Sequence, residues 1–169
     1  MKRTLSVLCV AGMLAALIAM AGCLPQGAKR PENPSGGKQI KLAVFLPDKT
    51  AMYLERKEVT VADSGEALAL QALKELIRDG TTIPKGTKVR GVTVQDRIAH
   101  VDFSRELRDN HWGGTLGEAF TIYSIVCTLT DLDGIDRVQI LIEGKTGASI
   151  GGHMVLDEPL GPDAGLLRR

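Results

Sequence analysis

The sequence predicts an α+β domain: a small, mostly antiparallel sheet with two helices packed on one face. Strand-like and helix-like segments interleave along the chain, and two of the strands are separated by so short a turn that they form a hairpin. Each helical segment carries an apolar stripe, and a helix buries such a stripe against a sheet. A doubly wound parallel sheet is less consistent with the hairpin.

The predicted strands are short runs in which apolar and polar residues alternate, bounded by turn-forming residues. Pro47-Asp48 ends the first run, and Gln95-Asp96-Arg97 joins the third to the fourth. The predicted strands are Ile40–Leu46, Lys57–Ala62, Val89–Val94, Ile98–Phe103 and Arg137–Ile142.

Two segments have the apolar spacing of helices. The first is predicted to start at the N-cap residue Ser64 and to end at Asp79-Gly80. The second is predicted to start with a capping box, in which the Thr115 hydroxyl and the Glu118 carboxylate each bind a backbone amide of the first turn. Its predicted apolar face consists of Leu116, Ala119, Phe120, Tyr123, Val126 and Cys127.

The first residues have the pattern of an export signal. A basic start and an apolar run precede Met20-Ala21-Gly22-Cys23, which is similar to the lipobox of bacterial lipoproteins. We therefore predict a lipoprotein signal peptide at residues 1–22 and a lipid anchor on Cys23, with an ordinary signal peptide as the alternative. Residues 23–38 are predicted as a tether rich in proline and glycine, residues 39–160 as the domain and residues 161–169 as a C-terminal tail.

Cysteine content and charge narrow the possible functions. Cys9 lies in the predicted signal and Cys23 would be lipidated, so Cys127 has no cysteine left to pair with. We expect Cys127 to be buried and inert on its helix. The lack of a basic stripe in the sequence and the single tryptophan argue against a nucleic-acid partner.

The residues suited to catalysis do not form a recognisable site. Gly144-Lys145-Thr146 lacks the upstream glycine of a phosphate-binding loop, since Gln139 stands at that position. The aromatic side chains of Phe45, Tyr53 and Trp112 are expected to pack in the core or at its rim. We predict no catalytic residue, no metal site and no cofactor.

An enzymatic alternative rests on the histidines. His100 and Asp102 share one strand face and would bind a metal with His111 or His153, although such scattered ligands are a weak signal. A cell-wall enzyme or accessory subunit using His100, Asp102 and His153 is therefore the alternative to a binding module. A small-molecule sensor is a third possibility.

The chain resembles the GerMN domain family over roughly residues 40–160. The closing Gly152-His153 and Leu156–Leu160 also fit, whereas Cys127 stands where the family usually has asparagine. The segments that carry the resemblance are VFLPD (44–48), IPKGTK (83–88), VDFS (101–104) and GGTLGEAFTIYSIVCTLTDLDGIDRVQILIEGK (113–145).

The resemblance implies a fold similar to the ring-building modules of secretion-like complexes, with a small sheet and two helices on one face. It also implies an extracytoplasmic lipoprotein without enzymatic activity. A family member with two tandem copies supports a channel complex between mother cell and forespore. We therefore expect a lipid-anchored module on the outer side of the cell membrane, with a protein partner in the envelope.

A partner would dock on the face of the sheet that points away from the helices. Val138, Ile140 and Ile142 are predicted to face the helices, which leaves the alternate residues of each strand for the outer face. An apolar centre with a polar rim is typical of docking surfaces. The alternative is that the segment after Gly147 covers this face. The predicted docking residues are Ile98, His100, Gln139 and Leu141.

Overall fold

A computed structural model of the chain describes residues 38–168. The predicted signal peptide, the Cys23 anchor, residues 24–37 of the tether and Arg169 lie outside the described residues. The elements confirm the predicted α+β class. In chain order they are β1 (Gln39–Pro47), β2 (Leu54–Ala62), α1 (Leu68–Asp79), β3 (Val89–Gln95), β4 (Ile98–Phe103), α2 (Glu106–Asp109), α3 (Thr115–Thr130) and β5 (Arg137–Ile142).

The strands form two sheets rather than one across the described range. β1 and β2 pair antiparallel, and a mixed sheet has the order β3-β4-β5. β3 and β4 are antiparallel, whereas β4 and β5 are parallel. Parallel neighbours need a long crossover connection, which here contains α2 and α3.

The turn between β3 and β4 confirms the predicted hairpin. Asp96 and Arg97 both have positive φ, at 50° and 62°. Two central residues with positive φ give the turn a twist that matches the twist of the paired strands. Arg97 also donates from Nε to Asp136 Oδ2 at 2.6 Å, which links this turn to the start of β5.

The main core lies between the helices and the inner face of the β3-β4-β5 sheet. The alternate residues of β5 predicted to face the helices are buried, which confirms that part of the prediction. The same alternation holds in β4, where the inner side chains are fully inaccessible. The buried members of this core include Leu73, Leu76, Val101, Phe103, Leu107, Ile122, Ile125, Leu129, Ile140 and Leu156.

α3 is buried on nearly all sides, and the prediction of one apolar stripe was wrong. Ile122 and Ile125 pack in the main core, whereas Phe120 and Cys127 pack in a second cluster with β1 and β2. Leu116, assigned to the stripe, is 47% exposed. The helix lies between two apolar clusters and therefore buries residues around its circumference. No helix within residues 38–168 is long and apolar enough to cross a membrane.

The predicted start of α1 was also wrong. The helix begins at Leu68 with Ala67 in the N-cap position, and no side chain caps it. The Ser64 hydroxyl instead donates to Glu66 Oε2 at 3.0 Å, within the preceding loop. Gln71 fixes this loop by donating to the Glu66 carbonyl at 2.8 Å. A short-range hydrogen bond of serine competes here with its capping role.

The stretch predicted as a C-terminal tail makes specific contacts. Leu54 of β2 donates its amide to the Leu166 carbonyl at 2.7 Å, and the Arg168 amide donates to the Leu54 carbonyl at 3.0 Å. Leu166 and Leu167 pack against the second cluster. Arg168 forms an ion pair with Asp48 at 2.8 Å. Backbone pairing and apolar burial together hold residues 166–168 against β2.

Candidate functional site

One extensively hydrogen-bonded buried group is the carboxylate of Glu118, on α3. Its side chain is inaccessible to solvent and points at the loop that follows β5. Oε1 accepts hydrogen bonds from the Ser149 hydroxyl at 2.8 Å, the Ile150 amide at 3.1 Å and the Gly151 amide at 2.8 Å. Oε2 accepts one from the His153 amide at 2.8 Å. We call residues 149–153 the carboxylate-binding loop.

These contacts keep Glu118 ionised. Burial by itself would raise the pKa of this carboxyl group, because a charge loses its hydration in the interior. The Gly151 amide, the Ser149 hydroxyl and the His153 amide oppose that effect, and the net result is a lowered pKa. The arrangement therefore stabilises a loop and leaves little capacity on the carboxylate for proton transfer to a substrate.

The predicted capping box at the start of α3 was wrong. Gly114, with φ of 83°, is the N-cap residue, and no side chain caps the helix. Glu118 cannot reach back along the helix because it is bound to the carboxylate-binding loop. Gly151 is the sequence signal for that loop. A Cβ atom added at this position would lie only 3.1 Å from Glu118 Oε2. A glycine allows this close approach.

The predicted docking residues lie on the outer face of the β3-β4-β5 sheet. His100 is directly opposite Gln139 in the parallel pairing. Ile98, His100 and Leu141 are partly exposed, but Gln139 is only 5% exposed. Gln139 donates to the Leu156 carbonyl at 3.0 Å, so the C-terminal segment covers this position. Three of the four predicted residues thus contribute accessible surface.

The C-terminal segment follows the free edge of β5 rather than crossing the whole outer face. Leu160 and Val138 exchange two backbone hydrogen bonds, at 2.8 Å and 2.9 Å. This pairing adds a short bridge to the edge of the sheet. The sequence left open that residues after Gly147 cover the outer face. In the structure these residues cover it beside β5.

The three residues of the enzymatic alternative have separate roles. Asp102 Oδ1 accepts the Gly144 amide at 2.8 Å, and Asp102 also pairs with Arg90 at 3.4 Å. His153 belongs to the carboxylate-binding loop, whereas His100 lies on β4. The part of the chain that the structure describes has no group of three or more His, Cys, Asp or Glu side chains placed to hold a metal ion.

Cys127 is buried, as predicted, with 2% of its surface exposed. Burial raises the pKa of its thiol to about 11, because a thiolate would lose its hydration there. A nucleophilic cysteine requires a lowered pKa and access to solvent. The geometry of Cys127 provides neither.

Comparison with protein families identifies the part of the chain that contains these features. Residues 43–148 match the family model Germane, described as sporulation and spore germination. The matched range includes the second half of β1, every element from β2 to β5, and Glu118. No curated protein matches the chain significantly.

Solved structures show the same fold. The tandem GerMN domains of the sporulation protein GerM from Bacillus subtilis match with a TM-score of 0.63 and 24% identity, over 73% of this chain and 46% of that chain. This chain thus spans less than half of the tandem protein. The first GerMN domain alone matches with a TM-score of 0.62 and 24% identity, over 72% of this chain and 97% of that chain.

A third structure extends the comparison to another bacterium. A protein from Clostridium perfringens, described as a candidate lipoprotein, matches with a TM-score of 0.52 and 24% identity, over 73% of this chain and 87% of that chain. These identities establish similarity of fold. Since the family match covers more than half of the sequence and the fold agrees with two GerMN structures, the chain belongs to the Germane family of sporulation and spore germination domains.

Proposed function

We propose that this chain is a non-catalytic binding or assembly module, anchored by a lipid on Cys23 to the outer side of the cell membrane. Its role is to support a protein complex of the envelope during sporulation or germination. Membership of the Germane family supports the biological context. The observation that carries the binding role is the partly exposed, mixed surface on the outer face of the β3-β4-β5 sheet.

That surface has the composition of a docking site. Ile98 and Leu141 supply apolar area. His100 lies between them, because it is two residues after Ile98 and pairs with the residue two positions before Leu141. Because Gln139 is bonded to the C-terminal segment, the proposed surface centres on the other three residues. Asp102, held by Arg90 and the Gly144 amide, supplies its charged border.

Replacing Leu141 by lysine tests this surface. The partly exposed side chain permits a charge without a large loss of stability, so we expect the melting temperature to stay within a few degrees. Capture of the envelope partner by the anchored protein should be lost. The matched control is Leu68→Lys, since Leu68 is a leucine that is 50% exposed at the start of α1, on the helix side of the sheet.

Two results would contradict the docking proposal. A large drop in the melting temperature of Leu141→Lys would show that this side chain belongs to the core. Equal capture by Leu141→Lys, Leu68→Lys and the unchanged protein would place the partner elsewhere.

The environments of Glu118 and Cys127, two residue types suited to catalysis, support a non-catalytic role. Glu118 accepts four hydrogen bonds from its own chain. The pKa of Cys127 is raised to about 11, so its nucleophilic form is rare at neutral pH.

The anchor is supported by the sequence around Cys23 and by the likeness to a candidate lipoprotein from Clostridium perfringens. Two acyl chains on one residue give stable membrane attachment. Cys23→Ala should leave the protein without acyl chains and shift it out of the membrane fraction. Unchanged fractionation of the variant would refute the anchor.

A further inference from the structure

The only tryptophan of the chain occupies an unusual position. Trp112 lies in the connection between α2 and α3 and is 55% exposed. A tryptophan ring combines a large apolar surface with a polar N–H group, and tryptophan is enriched at binding surfaces for this reason. Its ring stacks on the imidazole of His111, with centroids 4.8 Å apart and planes inclined by 18°.

The stacking partner is itself fixed by hydrogen bonds at both nitrogens. The Gly113 amide donates to His111 Nδ1 at 3.0 Å, so Nδ1 accepts and the proton is on Nε2. Nε2 then donates to Thr121 Oγ1 at 3.1 Å. The Thr121 hydroxyl in turn donates a hydrogen bond to the Thr82 carbonyl at 2.7 Å. This chain of bonds ties the ring pair to the buried side of α3.

Gly117 provides the space in which the tryptophan is held. A Cβ atom added at Gly117 would lie 2.7 Å from Trp112 Nε1, which is closer than real Cβ atoms approach a neighbour, and 3.2 Å from Cδ1. The indole edge therefore rests directly on the first turns of α3. The stacking with His111 and the contact with Gly117 restrict the indole ring in the free protein. Less conformational entropy is therefore lost when a ligand binds to it.

Trp112 forms one wall of a cleft of about 390 Å³. Ile83 also lines the cleft, but this residue is only 2% exposed, so the indole is the main apolar surface. Asn110 donates from Nδ2 to the Lys85 backbone carbonyl at 2.8 Å, so the Asn110 side chain is held beside Lys85. The complete lining is Gly80, Thr81, Ile83, Lys85, Asn110 and Trp112.

The side chains that line the cleft favour one class of ligand. It has a hydroxyl, an amide and an ammonium group but no carboxylate, so a cationic ligand would lack a counter-charge. The face of an indole is electron-rich and attracts weakly positive C–H groups. A pyranose ring has both features that this lining requires: a face of C–H groups to lie on the indole, and hydroxyl groups around its edge.

We propose that the cleft beside Trp112 binds a saccharide, with one sugar ring stacked on the indole and its hydroxyl groups bonded to Thr81, Lys85 and Asn110. The site is separate from the docking surface on the sheet. The saccharide is either a unit of an insoluble glycan or a soluble oligosaccharide, because both present the same ring.

Because the chain has one tryptophan, its fluorescence reports on this cleft alone. The full chain, purified in a detergent without a sugar headgroup, is titrated with trimers of N-acetylglucosamine, of β-linked glucose and of α-linked glucose. We expect a saturable change in emission with at least one trisaccharide. Parallel sedimentation with insoluble chitin and cellulose separates the two sources, since only a glycan-binding site also carries the protein into the pellet.

Gly117→Ala is the decisive variant. Alanine favours a helix over glycine, so the domain should remain folded while the new methyl group displaces the indole. We expect at least a tenfold weaker affinity, with an unchanged circular dichroism melt. Tyr53→Ala is the matched control, because Tyr53 is an aromatic residue that is 42% exposed elsewhere, and it should bind as the unchanged protein does.

Trp112→Ala, measured by calorimetry because it lacks the reporter, should also lose binding. Two results would overturn the proposal: no saturable response to any of the three trisaccharides, or equal affinities in the unchanged protein and Gly117→Ala. Neither result bears on partner capture through Leu141.

Discussion

Replacement of Glu118 by glutamine tests whether this buried carboxylate holds the carboxylate-binding loop. The substitution keeps the shape of the side chain and removes its charge. One oxygen can still accept the bonds from Ser149, Ile150 and Gly151. The new amide group would then face the His153 amide, so that two donors point at each other.

The expected cost follows from these bonds. A buried backbone amide left without an acceptor costs about 1–3 kcal/mol. The remaining bonds weaken because hydrogen bonds to charged groups contribute about 1.5–3 kcal/mol and neutral ones about 0.5–1.5 kcal/mol. Relief from burying a charge offsets part of this loss. We therefore expect the free energy of unfolding to fall by roughly 2–4 kcal/mol.

The effect should depend on pH with a defined sign. Folding lowers the pKa of Glu118 from its ordinary value of 4.5, so the carboxylate stabilises the fold fully above that value. The stabilisation is lost as the pH falls through the lowered pKa. Glutamine does not titrate, so the difference between the two proteins should be large at neutral pH and shrink below 4.5.

Urea unfolding at pH 7 and at a series of acidic pH values measures this difference. Amide hydrogen exchange of residues 149–153 should also accelerate in the variant, because their acceptor is weakened. Glu158→Gln is the control, since it removes one charge from an exposed glutamate near this loop. A loss below about 0.5 kcal/mol, the size of ordinary surface effects, or one that is independent of pH would refute the proposed role.

Two further predictions concern the buried side of α3. Cys127 should resist thiol reagents until denaturant is added, and Cys127→Ser should cost about 1–3 kcal/mol by placing a hydroxyl in an apolar site; rapid labelling of the folded protein would contradict its burial. Thr128→Val removes the acceptor of the Phe45 amide, 3.1 Å away, and should cost about 1–3 kcal/mol in urea unfolding. Thr130→Val, whose hydroxyl bonds only within its own helix, should cost much less.

The sequence by itself determined the secondary structure where the determinants are local. β5 was predicted with its observed bounds, and β4 likewise, because apolar residues at every second position and adjacent turns specify a strand within a few residues. The hairpin turn at Asp96 followed from the same kind of signal. The family resemblance, carried mainly by residues 113–145, predicted the fold that those elements form.

Only the tertiary structure decided how α3 and its glutamate are used. Glu118 binds residues that are 31 to 35 positions away, and no short-range pattern distinguishes such a carboxylate from one that caps its own helix. The helix is buried on several sides because β1 and β2 form a separate sheet against it.

The parallel pairing of β5 and the contacts of the C-terminal residues likewise could not be predicted from the sequence. Leu160 and Leu166 find their partners in β5 and β2, which are distant along the chain. Trp112 shows the same limit, since an aromatic residue expected at the rim of the core lies half exposed above Gly117. Local propensity depends on neighbours within a few residues, whereas these positions depend on which surfaces meet after the chain has folded.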